Sequence, residues 1–385
     1  MTRSRSSRRN FLASMMSAPA VAASAPAAPE PKPVYRELGR TGLKVSSLGF
    51  GCMLASDPVV IERAADMGIN YFDTARSYQG GNNERMVGSA LKGKRQKLVV
   101  ASKTPAKTKA DALRDLDTTL SQLGTDYIDI WHLHSRSTPE EVTDDLLEAQ
   151  ESARKAGKIR FRGVSFHFNM KDMLPHLVKR GQTDVVLMTY NFTLAPDVGE
   201  AIRAARQAGM GVIAMKVMAG GYNRIRRGDR LYGQAPDALL NKLQKEGAMA
   251  AALKWVLKNE SVGTAIIGIT DFDQLDENFK AMSDPFRDRD TTLLARQLEI
   301  IRPIFCRMCG SCSGVCDKGV PVNDVLRYLT YADGYGQFAM AREQFLSLPE
   351  SVREVRCTNC AGCKIECPNG VAVRDRLIRA QELFA

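Results

Sequence analysis

Eight of the nine cysteines in this 385-residue chain stand near its C-terminus, at Cys306, Cys309, Cys312 and Cys316 and again at Cys357, Cys360, Cys363 and Cys367. Each quartet repeats one spacing, with two, two and three residues between successive sulfurs. Three thiolates set so closely can wrap three corners of an iron–sulfur cube, and a fourth completes it. Structural zinc uses two C-x2-C pairs, four ligands in all, and an even cysteine set in an exported protein can also form disulfides. Two repeated four-cysteine runs fit a pair of [4Fe–4S] clusters better than either. Gly310 and Gly314 lie between sulfurs, where the backbone must come close. The ninth cysteine, Cys52, reads as a small buried hydrophobe.

A second group of residues suggests proton transfer. Asp73, Lys103 and His134 each end an apolar run, and Tyr78 follows Asp73 by five positions. A lysine ammonium beside a tyrosine is expected to stabilise the phenolate and lower its pKa, with the aspartate keeping the lysine charged. The histidine can donate a hydrogen bond to a substrate oxygen. Tyr78 can then protonate a carbonyl oxygen as hydride reaches its carbon. Taken singly, each residue reads as a salt bridge or a satisfied core polar group; four together read as a site. His132 lies two residues before His134 and so on the same strand face. It reads as a hydrogen-bonded core histidine, with proton relay as the alternative. His167 is placed facing the substrate.

The elements that must position these groups follow from an alternation running from residue 34 to about 285. Apolar, β-branched runs at 47–51, 70–74, 98–103, 127–134, 159–165, 185–190, 212–216 and 264–268 predict strands buried on both faces. Helical patterns at 58–67, 83–91, 109–123, 139–155, 170–180, 196–208, 236–259 and 275–282 lie between them. Several of these helices end in glycine, as at Gly124 and Gly181. Eight such units predict a (β/α)8 TIM barrel over 34–285, with a doubly wound sheet as the structural rival. A hairpin turning at Arg40-Thr41-Gly42 precedes the first strand. In such barrels chemistry sits at the C-terminal strand ends, where Asp73, Lys103 and His134 fall. Residues 290–385 predict a mainly helical iron–sulfur domain, with helices at 291–301, 323–332 and 337–346.

The cysteine spacing, with Pro368 after Cys367, resembles that of bacterial ferredoxins. There the fourth cysteine of each run ligates the other cluster. The resemblance therefore assigns Cys306, Cys309, Cys312 and Cys367 to one cluster, and Cys357, Cys360, Cys363 and Cys316 to the other. Asp317 replaces the proline usual after the first run. In the barrel region, YFDTARSYQGGNNERMVGSAL, VVASK, DYIDIWHLH and IIGITDFDQLDEN resemble segments of the aldo-keto reductases. That resemblance implies a catalytic tetrad of Asp73, Tyr78, Lys103 and His134, with NADP(H) or NAD(H) across the barrel mouth. It also implies cofactor contacts at Ser165, Phe166, Tyr190, Asn191, Lys216, Gly268, Glu277 and Asn278, with Tyr190 stacked under the nicotinamide. Leu187 stands where the family often has a glutamine. Thr270–Asp273 lacks a basic residue, and Asp271 would repel a 2′-phosphate. The whole chain resembles the subset of this family that carries a C-terminal double-cluster module.

The first thirty residues read as an address. Ser7-Arg8-Arg9-Asn10-Phe11-Leu12 resembles a bacterial twin-arginine signal. An apolar run and Ala-x-Ala sites follow it, and 26–33 reads as an extended linker. A disordered basic tail is the alternative. Twin-arginine export to the periplasm suits a protein whose clusters are inserted before export. The formal net charge is +11, and four arginines in the first ten residues supply part of it. No basic stripe with interleaved aromatics points to nucleic acid, and no apolar run is long enough to span a bilayer. The expected function is an exported oxidoreductase acting on a small carbonyl or alcohol, its clusters exchanging electrons with a redox partner protein. The alternative is an electron-transfer protein whose barrel is a docking scaffold without nicotinamide chemistry. Hydride moves two electrons together whereas a cube takes one, and no flavin motif bridges the two.

Overall fold

A computed structural model describes residues 31–219 and 242–384. The expected export address and the start of the 236–259 helix lie outside the described residues. Pro33–Ala385 packs as one compact unit.

A short antiparallel hairpin, β1 (Tyr35–Glu37) and β2 (Lys44–Ser46), precedes a closed barrel of eight parallel strands. These are β3 (Leu48–Gly51), β4 (Tyr71–Asp73), β5 (Val99–Thr104), β6 (Ile128–Leu133), β7 (Ile159–Phe166), β8 (Val185–Thr189), β9 (Gly211–Met215) and β10 (Thr264–Gly268), with β10 pairing β3 to close the ring. Every apolar run read from the sequence forms one of these strands. Side chains buried on both faces explain why the runs are continuous rather than alternating. Leu38, Tyr71, Ala101, Ile130, Leu187 and Ile213 form one buried cluster, while Phe72, Trp131, Phe166, Met188 and Tyr190 belong to another that includes helix residues.

The helices differ from expectation in several places: the 236–259 pattern turns at Gly247, left-handed with φ at 94°, before helix Ala248–Leu257, and a short helix at Glu350–Arg353 was not expected. The 139–155 pattern divides into a 3-10 turn at Pro139–Glu141 and a helix at Asp144–Lys155, because Thr138 and Thr143 each cap their own segment. The closing helix Val373–Phe384 was not expected. It buries Val373, Leu377, Ala380 and Phe384, a spacing that gives a helix one apolar face.

After the barrel, helix Asp288–Ile301 packs on Ala248–Leu257 and is tied to it by buried Lys254, which pairs with Asp290 at 2.8 Å. Helices Val322–Asp333 and Phe338–Leu346 follow, and fully buried Asp333 binds Arg376 and Arg379 of the closing helix. Met53, Leu54 and Phe168 from barrel loops share a hydrophobic cluster with Met308, Leu326, Leu329 and Phe345. The Thr189 hydroxyl, just at the end of β8, lies 3.6 Å from the Met308 sulfur. The cysteine-bearing segment thus rests on the mouth of the barrel.

Candidate active site

Three strands deliver the polar group at the mouth. Asp73 ends β4, and Lys103 lies one residue before the end of β5; both are about 1% exposed. The Lys103 ammonium donates to the Asp73 carboxylate, to the Thr74 carbonyl at 2.7 Å and to the Tyr78 hydroxyl at 3.3 Å. It also lies 4.8 Å from the Tyr78 ring centroid. His134 follows β6 and meets Tyr78 edge-on, with ring centroids 5.9 Å apart. Its Nδ1 lies 3.5 Å from the Ser77 hydroxyl. The loops after Tyr78 and His134 pass through left-handed backbone at Gln79 and Ser135, conformations that non-glycine residues adopt mainly where surroundings enforce them.

Arg76 and Glu84 buttress this corner. Fully buried Glu84 pairs with Arg76 and accepts from the Ser102 and Thr119 hydroxyls at 2.6 and 2.8 Å. Sequence reasoning passed over Glu84. Its signal was an acidic residue on the apolar face of an otherwise ordinary helix.

The electrostatics correct one expectation. Burial pushes the Tyr78 phenol up to about 12; Lys103 pulls it down, and Asp73 adds to the rise. Tyr78 is therefore held protonated at neutral pH, as a proton donor must be. Burial works against the Lys103 charge, but Asp73 and Tyr78 outweigh it and keep the ammonium above its ordinary range. Burial raises Asp73, with Lys103 opposing. Burial, then Lys103 and Arg327, hold His134 well below 6.5, so its imidazole is neutral.

Asp73, Tyr78 and His134 line a cavity of about 770 Å³. His167 also lines it, as expected. Its far wall comes from helix Val322–Asp333, which contributes Arg327, Tyr328 and Tyr331. The other two noted residues are core: Cys52 and His132 are fully buried. His132 makes no well-aligned hydrogen bond, only a loose approach to the Val164 backbone, and burial lowers its pKa to about 3.

The aldo/keto reductase family pattern matches residues 55–298, well over half of the chain. The chain belongs to the aldo/keto reductase family. It is 26% identical over 280 residues to L-galactose dehydrogenase of Arabidopsis thaliana, covering 65% of this chain and 88% of that protein. It is 30% identical over 178 residues to the uncharacterized oxidoreductase YqkF of Bacillus subtilis, spanning 41% of this chain and 56% of that protein. Among solved structures, the holo form of aldo-keto reductase AKR11C1 from Bacillus halodurans superposes with a TM-score of 0.59 at 28% identity, covering 69% of this chain and 96% of that one. The protein is thus an oxidoreductase of aldo-keto reductase type, a family that acts on small carbonyl compounds. The family match ends before Cys306.

Within this reductase the expected nicotinamide contacts divide. Lys216, Gly268, Glu277 and Asn278 line the cavity. Tyr190, Ser165, Phe166 and Asn191 are not among its lining residues. Strand alternation turns Tyr190 outward among the helices, where it packs on Trp255 with ring centroids 5.1 Å apart and its hydroxyl accepts from Asn259 at 3.1 Å. Phe166 shares that outer core. The Ser165 hydroxyl bonds the Leu133 carbonyl and the Ser135 amide. Asn191 donates to the Lys216 carbonyl at 3.0 Å. A Cβ on Gly268 would lie 2.7 Å from the Leu54 side chain, which would have to shift. Asp271 caps helix Phe272–Ser283 by accepting from the Gln274 amide at 2.8 Å.

All eight C-terminal cysteines are free. Cys306 senses the charges of Cys312, Cys309 and Cys367, while Cys357 senses those of Cys316, Cys360 and Cys363. The resemblance to bacterial ferredoxins groups the same sulfurs. A small cavity is lined by Cys306, Cys309, Cys312 and Cys367. The Met308 amide and the Asn369 side chain donate to the Cys306 and Cys309 sulfurs, both at 3.4 Å. Among the described residues no group of three or more His, Cys, Asp or Glu is placed to hold a single metal ion. Ligands to a cube sit on separate irons, wider apart than ligands to one ion.

Proposed function

We propose that this chain is an exported aldo-keto reductase-type enzyme that interconverts a small carbonyl compound and its alcohol, with two [4Fe–4S] clusters exchanging electrons with a redox partner protein. One observation carries the catalytic part: the hydrogen-bonded run from Asp73 through Lys103 to Tyr78, beside neutral His134, on the wall of one cavity. A substrate carbonyl oxygen there would meet two donors, the Tyr78 hydroxyl and the His134 imidazole. Tyr78 releases its proton to that oxygen, and Lys103 stabilises the phenolate left behind. Asp73 keeps the lysine charged throughout. In the alcohol direction Tyr78 takes the proton back.

A nicotinamide cofactor supplies or accepts the hydride when bound. Gly268, Glu277 and Asn278 are the residues that would hold it. The crossed sulfur quartets fit two cubes, which supply or accept single electrons when bound. Burial and the neighbouring thiolates raise the Cys306 thiol to about 12 and the Cys312 thiol to about 11, so such quartets need a cationic centre to remain thiolate. The Arg8-Arg9 address supports export of a chain that has already folded with its clusters in place. Among the described residues no helix is long and apolar enough to cross a membrane.

The test is NADPH and NADH titration of anaerobically purified full chain, with iron and sulfide analysis of the same sample. Saturable binding with carbonyl turnover, and about eight irons per chain as two cubes require, are expected. Absence of nicotinamide binding across neutral pH would favour the electron-transfer reading instead. Arg8→Lys with Arg9→Lys is expected to leave the protein in the cytoplasm.

A further inference from the structure

Above the mouth, the barrel and helix Val322–Asp333 place a second cluster of charged groups. The Lys216 ammonium lies 4.3 Å from the Tyr331 ring centroid and 4.9 Å from that of Tyr335. Its ammonium thus sits over the ring that carries the Tyr331 hydroxyl. Arg327, about 8% exposed, donates to the same hydroxyl at 3.0 Å and to Asp324 at 2.7 Å, and its guanidinium lies 5.0 Å from the Tyr328 ring centroid. Lys216, Arg327, Tyr328 and Tyr331 all line the large cavity.

Lys216 is held there at some conformational expense. Its backbone is left-handed, with φ at 58°. Two hydrogen bonds to its carbonyl, from the Asn191 side chain and the Ala219 amide, each at 3.0 Å, fix that turn. Left-handed backbone at a non-glycine residue persists where the surroundings over-determine it, and such positions concentrate at binding sites.

Charge balance then distinguishes Lys216 from its neighbours. Lys103 is matched by Asp73 and Arg327 by Asp324. Among the described residues, no carboxylate lies within ion-pair reach of Lys216. His134 and His167 are neutral, both held well below 6.5 by burial first and by nearby cations second. Asp273 and Glu277 also line the cavity, but from helix Phe272–Ser283. The Tyr331 oxygen accepts from Arg327, so its own proton is available to another oxygen in the cavity. One unmatched ammonium and one directed phenol suit a single negative charge spread over two oxygens.

We propose that Lys216 and Tyr331, backed by Arg327, form a carboxylate-binding subsite opposite Tyr78 and His134, so that the substrate is a small oxo acid or hydroxy acid. Tyr78 and His134 line the same cavity as Lys216, Arg327 and Tyr331. The carboxylate would therefore sit only a few atoms from the reacting carbonyl. Among the described residues this wall offers one unmatched charge, which suits a monoanion better than a phosphate dianion. The inference deepens the carbonyl-reductase reading above and rests on it for the identity of the reacting group.

Sodium oxamate, which joins a carboxylate to an amide carbonyl, serves as the probe, and neutral oxamide as its uncharged counterpart. Calorimetric titration of the anaerobically purified full chain is expected to show oxamate binding more tightly than oxamide. Lys216→Met and Tyr331→Phe are each expected to weaken oxamate about tenfold or more, as loss of a charge-assisted hydrogen bond does, and to leave oxamide unchanged. Equal affinity for the two probes, or oxamate affinity unmoved by Lys216→Met, would overturn the subsite. NADPH titration of the same variants supplies the second readout. If Lys216→Met weakens NADPH and leaves oxamate untouched, the ammonium serves the dinucleotide and the subsite is wrong. If oxamate binding depends on Lys216 while no carbonyl turns over with NADPH, the subsite stands and the reductase reading fails.

Discussion

Two tyrosines face one cavity, each beside a lysine, and their phenols move in opposite directions. Tyr78 belongs to the barrel, and burial carries it up to about 12 despite Lys103. Tyr331 belongs to helix Val322–Asp333. Burial pushes it up as well, but Arg327 and then Lys216 outweigh that and bring it below the ordinary phenol value. The difference lies in the counter-ions. Lys103 is bound to Asp73, whose negative charge offsets what the lysine does for the phenolate. Tyr331 meets two cations, and among the described residues only Arg327 has a carboxylate partner. A Tyr–Lys pair is therefore not one chemical device: the third residue decides whether its phenol titrates above or below the ordinary value.

The largest expected effect comes from removing the proton that Tyr78 holds. Tyr78→Phe should lower carbonyl turnover by about 10²- to 10⁴-fold, the usual contribution of a positioned general acid, while the iron–sulfur absorbance is retained. Turnover that survives this change would move the acid role across the cavity to Tyr331. Next is Lys103→Met, which strands the Asp73 charge in the core. Denaturant unfolding should show a loss of about 3–5 kcal/mol, typical for breaking a buried pair, and Asp73→Asn added to it should restore part of that loss.

Gly163→Ala probes the floor below the site. Its Cβ would lie 2.3 Å from His132 Nδ1, and an overpacked core loses about 1–3 kcal/mol. The same histidine sets an acid limit. Its folded pKa of about 3 lies below the unfolded value near 6.5, so the unfolded state binds the extra proton. Stability is thus fully present above about pH 6.5 and falls toward pH 3, by about 1.4 kcal/mol per pH unit for this group. His134 and His167 act in the same direction. His132→Gln should reduce the slope by one proton, read from unfolding midpoints between pH 4 and 6.5. The smallest signal sharpens the comparison most directly. In an ultraviolet phenolate titration, Tyr331→Phe should remove an early-ionising tyrosine and Tyr78→Phe a late one.

The barrel was legible because strands buried on both faces leave unbroken apolar runs, and the tetrad because its members end those runs. Tyr190 was misplaced for a reason also visible in the sequence: counting alternate residues along β8 puts Thr189, not Tyr190, toward the lumen. The direction of the Tyr78 shift was not legible, since burial depends on what packs above the mouth. Nor was the meeting of Lys216 with Tyr331, because no local pattern joins a β9 loop to a helix beyond Cys316. The closing helix could have been found from the spacing of Val373, Leu377, Ala380 and Phe384.

The crossed grouping of sulfurs has a consequence for how the chain is completed. One quartet needs Cys367 to join three members some fifty residues upstream or more, and the other needs Cys316 to wait for three members downstream. A nascent chain ending before Cys357 holds three sulfurs of one set and a single sulfur of the other. On the proposed two-cluster reading, neither set can close until the final stretch emerges: a deletion that takes Cys367 opens one set, and one that reaches back through Cys363 opens both.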